Sequence, residues 1–183
     1  MGYGYPAAPA EILLVDDDAD CAYLTQRAFG QAKLRANLHH VDDGRKCLAF
    51  LRQQPPYAAA PVPDIVLLDL EMPVMDGRHV LAEIVKDESL KHLAVVVLTS
   101  QDEPADILRM YQLRCSSYIR KPPDYERYVE MIGKLADYWL SVVMFPGKRA
   151  VSEAMNDRSA LEPARATADH KESPTPERVQ SWR

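Results

Sequence analysis

Three aspartates, a threonine and a lysine could do chemistry together if the fold gathered them. Asp16 and Asp17 follow the apolar run Ile12-Leu13-Leu14-Val15, and Asp69 follows Ile65-Val66-Leu67-Leu68. Thr99 closes Val95-Val96-Val97-Leu98, and Lys121 follows Ser117-Tyr118-Ile119-Arg120. Three carboxylates at one place repel: at an effective dielectric near 20, two unit charges about 4 Å apart cost roughly 4 kcal/mol. Such a cluster needs a cation. With no imidazole or thiolate beside it, an oxygen-only donor set suits Mg²⁺. Lys121 adds a point charge and Thr99 a neutral hydroxyl. Cation, ammonium and hydroxyl facing one carboxylate make a cage for a phosphoryl dianion, with Asp69 the nucleophile, since carboxylates form acyl phosphates. Taken alone, Asp69 is better explained as a strand-end turn or cap. The other strand ends give it company.

The elements that would position these groups alternate along the chain. Residues 11–15, 36–41, 65–68, 94–98 and 117–120 read as five strands, and the third and fourth are continuous branched runs suited to a parallel sheet buried on both faces. Helices are expected over 20–31, around Cys47 to Leu51, over 78–86, from Pro104 through Tyr111, and over 125–143. Ala22, Tyr23, Leu24, Ala28 and Phe29 form the apolar side of the first helix, and Ile107, Leu108, Met110 and Tyr111 that of the fourth. The segment 53–63, with four prolines, is a loop, and Pro73 and Gly77 force a turn after Asp69. Alternating strands and helices imply an α/β, (βα)5 doubly wound parallel sheet. The polar second strand belongs at an edge, so the flavodoxin-like order 2-1-3-4-5 is the economical topology. In that order the first, third, fourth and fifth strands are adjacent, and their carboxyl ends share one rim where ligands bind.

The chain of 183 residues suits one domain and a remainder, and its 47% hydrophobic content supports a core. A net charge of −5 argues against non-specific nucleic-acid binding. No run approaches the roughly 20 apolar residues of a membrane span, and residues 1–10 lack an export signal's basic start and apolar centre. Cys21, Cys47 and Cys115 are scattered outside metal-ligand spacing, so reduced thiols in a cytoplasmic protein are expected. Residues 1–10 read as a flexible leader and 148–183 as a disordered tail. From Arg149 onward six basic residues balance six acidic ones, and apolar residues are too sparse to offset the ordering entropy, apart from a transient helix near 152–161.

With these pieces in order, the stretch from about Glu11 to Met144 resembles the receiver domain of two-component response regulators. The matching motifs are Ile12-Leu13-Leu14-Val15-Asp16-Asp17, Leu67-Leu68-Asp69-Leu70-Glu71-Met72-Pro73-Val74-Met75-Asp76-Gly77, Val97-Leu98-Thr99-Ser100 and Tyr118-Ile119-Arg120-Lys121-Pro122. The resemblance implies that a sensor histidine kinase phosphorylates Asp69. It implies that Asp17, Asp69 and the backbone carbonyl of Glu71 hold Mg²⁺ with Asp16 assisting, and that Thr99 and Lys121 bind the phosphoryl oxygens. It also implies a cis Lys121–Pro122 peptide. The insert before Pro63, Leu68-Asp69-Leu70 and the ending Tyr138-Trp139-Leu140-Ser141-Val142-Val143 resemble phytochrome-associated single-domain regulators. Pro123 departs from the apolar residue common there, which bears on the start of the last helix. Such a protein is a phospho-acceptor that signals to a downstream protein partner, not a turnover enzyme.

Thr99 and Tyr118 match the family's switch pair, the hydroxyl moving inward and the ring following; simple packing of Tyr118 at a strand edge is the plainer alternative. On the last helix Tyr128, Ile132, Leu135, Trp139 and Val142 form a core seam, while Val129, Met131, Ala136, Tyr138 and Val143 lie outside it. That girth implies a second buried side, in a homodimer through the last helix and fifth strand or under the tail. His39, His40, His79 and His92 carry no metal or phosphohistidine pattern and read as surface or packing residues. Two rivals remain: a receiver scaffold that signals without phosphate, which would lack an acid or the lysine, and a haloacid-dehalogenase-type phosphatase, which would want a second Asp where Glu71 stands.

Overall fold

The computed structural model describes residues 8–31, 35–146 and 153. The chain divides into two units, Met1–Lys148 and Arg149–Arg183, and the elements below belong to the first. Most of the leader and, apart from Glu153, the tail from Gly147 lie outside the described residues.

Strands β1 (Ala10–Val15), β2 (Ala36–Val41), β3 (Ile65–Leu68), β4 (Ala94–Thr99) and β5 (Ser117–Arg120) alternate with helices α1 (Ala19–Gln31), α2 (Gly44–Leu51), α3 (Gly77–Lys86), α4 (Pro104–Gln112) and α5 (Tyr125–Ser141). All strand pairs are parallel, in the order β2-β1-β3-β4-β5. This is the doubly wound topology expected from the alternation. The first strand begins one residue earlier than expected, because Ala10 donates to the Arg35 carbonyl beside β2.

Side chains on the buried strands alternate between two cores. Leu13, Val15, Val66, Leu68, Val95 and Val97 face α2, α3 and Met110 of α4. Ile12, Leu14, Ile65, Leu67, Val96 and Leu98 face α1 and α5. Period-two alternation of apolar residues on both faces is what a fully covered parallel strand requires. Aspartates start the helices: Asp43, Asp76 and Asp124 accept backbone N–H groups at the starts of α2, α3 and α5, and Asp18 does so for α1. The α5 cap answers the concern raised by Pro123, since Asp124 opens the helix directly after it.

Three helices differ from the apolar patterns expected of them. On α1 Tyr23 is 61% exposed and Thr25 is buried, its hydroxyl donating to the Cys21 carbonyl and meeting the Tyr128 hydroxyl at 2.7 Å. On α4 only Met110 is buried, and Leu108 and Tyr111 face outward. On α5 the small Ala136 is buried beside Tyr128, Ile132 and Leu135. Val142 is exposed because the helix ends at Ser141. Trp139 stacks on Phe145, so the chain after α5 covers part of that helix's apolar girth.

Candidate functional site

Asp16, Asp69 and Lys121 each stand one step past a strand yet are still held by the neighbouring ladder. The Asp16 N–H donates to the Val41 carbonyl at 3.1 Å, that of Asp69 to Val15 at 2.9 Å, and that of Lys121 to Thr99 at 2.7 Å. Backbone pairing of adjacent parallel strands therefore fixes where the three side chains begin.

Those side chains converge. Lys121 Nζ lies 2.8 Å from Asp16 Oδ2 and 3.3 Å from Asp69 Oδ2. One carboxylate oxygen each from Asp16, Asp17 and Asp69 fall within 4.8 Å of one another. Asp16 is fully buried and Asp69 nearly so, while Asp17 is exposed. Asp17, Asp69 and Lys121 line an open cleft of about 540 Å³, together with Cys21, Glu71 and Pro122. Burial pushes the Asp69 pKa up to about 6; Lys121 opposes the shift and the second carboxylate at Asp16 adds to it. For Lys121, burial works against the charge, but the flanking carboxylates win and raise its pKa above the ordinary lysine value. One ammonium among three carboxylates leaves an excess of negative charge.

The loops around this cluster are tied to one another. Gly77, the first residue of α3, sits so close to Asp69 that a Cβ there would fall 2.0 Å from the Asp69 carbonyl oxygen. Only glycine permits that approach. The Gly77 N–H and the Met72 N–H both donate to the Leu70 carbonyl. The Glu71 carbonyl, in contrast, accepts no hydrogen bond among the described residues, while the Glu71 side chain accepts from Ser100 Oγ at 2.7 Å and from Gln101 Nε2. These bonds hold the Glu71 carboxyl below its ordinary pKa. Thr99 Oγ1, fully buried, accepts from the Gln101 N–H at 3.3 Å, and the Tyr118 hydroxyl donates to the Gln101 carbonyl at 3.0 Å. Gln101 thus joins Glu71, Thr99 and Tyr118.

The donor set fits a hard divalent cation: three carboxylates, with no nitrogen or sulfur ligand among them. Only its carbonyl would leave Glu71 able to serve as a ligand, because its carboxylate is engaged with the β4–α4 loop. Asp18 is not among the acids whose oxygens come within 4.8 Å of one another; its carboxylate accepts from the Asp20 and Cys21 N–H groups at the start of α1.

The Lys121–Pro122 bond, which the resemblance gave as cis, is trans, the ordinary state of an X–Pro peptide. The cis bond among the described residues is Pro55–Pro56. Lys121 reaches both acids from the ladder without it. The roles of Ser100 and Gln101 had no signal in the strand pattern. His40, read from the sequence as a surface or packing residue, places its Nε2 2.8 Å from the Asp16 carbonyl oxygen.

Comparison with known proteins agrees with the geometry. A family model for the response regulator receiver domain matches residues 12–133. Response regulator Rcp1 of Synechocystis sp. is 36% identical over 138 residues, spanning 75% of this chain and 94% of that protein. A crystal structure of the Mn²⁺-bound form of Rcp1 superposes with a TM-score of 0.74 at 35% identity, covering 76% of this chain and all of that one. The crystal structure of the phosphorylated cyanobacterial phytochrome response regulator RcpA gives the same TM-score at 36% identity, over 76% of this chain and all of its own. Among the described residues no helix is long and apolar enough to cross a membrane. The chain belongs to the response regulator receiver family and is homologous to phytochrome response regulators.

Proposed function

We propose that this chain is a single-domain response regulator that accepts a phosphoryl group on Asp69 from a sensor histidine kinase of the phytochrome type and signals by protein–protein contact. The observation that carries this reading is the bridging of Asp16 and Asp69 by Lys121, with Asp17 close enough to share a cation. An Asp69 carboxylate oxygen attacks phosphorus as the phosphorus–nitrogen bond of a phosphohistidine breaks, and the imidazole leaves as the neutral ring after taking up a proton. Asp17, Asp69 and the Glu71 carbonyl would hold Mg²⁺, with Asp16 assisting, and the ion would neutralise charge on the transferring group. Lys121 and Thr99 bind the phosphoryl oxygens.

The Thr99 hydroxyl can donate to a phosphoryl oxygen while its oxygen accepts from the Gln101 N–H, and Tyr118 is tied to the same residue, so both halves of the switch act through one loop. The receiver spans residues 11–147, and it acts in the cytoplasm. It catalyses only its own phosphorylation and slow dephosphorylation. Leu108 and Tyr111 on α4 and Tyr138 on α5 face outward and β5 is an edge strand, which supports a homodimer through the last helix and fifth strand.

Phosphotransfer from an autophosphorylated histidine kinase tests the reading. Label moving to the unaltered chain but not to Asp69→Asn supports it; label retained on the substituted chain refutes it.

A further inference from the structure

His40 stands on the edge strand β2, in register with Leu14 of β1, and its Nε2 lies 2.8 Å from the carbonyl oxygen of Asp16. A carbonyl only accepts, so this ring nitrogen is the donor. The bond matters because the two adjacent acids are anchored very differently. The Asp16 side chain is fully buried, accepts from Lys121 at 2.8 Å, and accepts from the Asp18 N–H at 3.1 Å. Asp17 is exposed, and its carboxylate makes no hydrogen bond or ion pair among the described residues. What aims Asp17 is therefore its backbone. The N–H side of Asp16 is fixed by the Val41 carbonyl. The peptide that joins Asp16 to Asp17 is held at its carbonyl by His40.

We infer that His40 is a positioning residue: by fixing the Asp16–Asp17 peptide it keeps the Asp17 carboxylate within reach of Asp16 and Asp69, and so sets the affinity of the cluster for a divalent cation. The inference rests on the cation-dependent reading proposed above. Groups that orient ligands without touching the ion change metal affinity by about 10–100-fold. An exposed ring acting through one peptide belongs at the lower end of that range.

The test is Mg²⁺ binding to the full chain by titration calorimetry, for the unaltered protein, His40→Ala and His40→Gln, with thermal unfolding in EDTA alongside. His40→Ala should weaken binding about tenfold. The glutamine amide can donate from a comparable position, and His40→Gln should recover most of the affinity, with both variants melting together in EDTA. Unchanged affinity in His40→Ala, or an equal loss in both variants, overturns the inference while leaving the cation site intact. Failure of the unaltered protein to bind Mg²⁺ overturns the cation reading itself, and the inference with it.

Discussion

Lys121 Nζ sits 2.8 Å from an Asp16 carboxylate oxygen, and the acid is 1% exposed against 11% for the lysine side chain. The pair is buried, and Asp69 crowds it from the other side. Removing the lysine leaves two buried carboxylates facing each other, which is costlier than losing a surface ion pair. Lys121→Met should therefore lower stability in EDTA by about 2–4 kcal/mol at neutral pH, read by urea unfolding. The deficit should shrink toward pH 5, because protonating Asp69 relieves the repulsion, and saturating Mg²⁺ should restore part of it.

Asp69 makes a separate prediction in the metal-free protein. Its folded pKa is about 6 against 3.8 for the free side chain. An acid raised on folding binds more protons in the folded state, so its contribution is present below the unfolded value and is lost as pH rises toward 6. Asp69→Asn should accordingly stabilise the protein in EDTA by about 1–3 kcal/mol at pH 7.5 and by much less at pH 4.5. Paired urea titrations at the two pH values measure it; a gain independent of pH would contradict the burial argument.

Gly77→Ala places a methyl group 2.0 Å from the Asp69 carbonyl oxygen, and backbone rather than a pliant side chain must move. A loss of about 2–3 kcal/mol is expected in thermal or urea unfolding. The phosphorylation rate of the folded fraction should fall as well, because the displaced atoms belong to the proposed acceptor itself.

Val74 adopts φ of 69° in the β3–α3 loop while 67% exposed. A β-branched residue in the left-handed region is strained, and this one has little packing to lose. Val74→Gly should raise stability by about 0.5–1 kcal/mol, even after the added freedom of glycine in the unfolded chain is counted. Calorimetry reads the shift directly.

Much of this architecture was legible because buried parallel strands advertise themselves. Residues 36–41, 65–68 and 117–120 match β2, β3 and β5 end for end, and the polar second strand does lie at the edge. The rim cluster was legible because strand ends mark where the site must be, and the topology then makes Asp16, Asp69 and Lys121 neighbours. Helix faces were harder to read. Tyr23, Leu108 and Tyr111 are apolar enough to suit a core yet point outward, and nothing local distinguishes them from Phe29 or Met110. Contacts through the backbone left no trace in residue types: the Asp16 carbonyl held by His40, and the Gln101 backbone shared by Thr99 and Tyr118, depend on strand register and loop path.

Phosphorylation with a small phosphoryl donor, with and without Mg²⁺, followed by peptide mapping, addresses the proposed pocket most directly. The account predicts a single acid-stable, base-labile adduct on Asp69 that forms with Mg²⁺, is nearly lost in EDTA, and is much slower in Asp17→Asn. Modification at another residue, or equal labelling of Asp69 in EDTA, would contradict it.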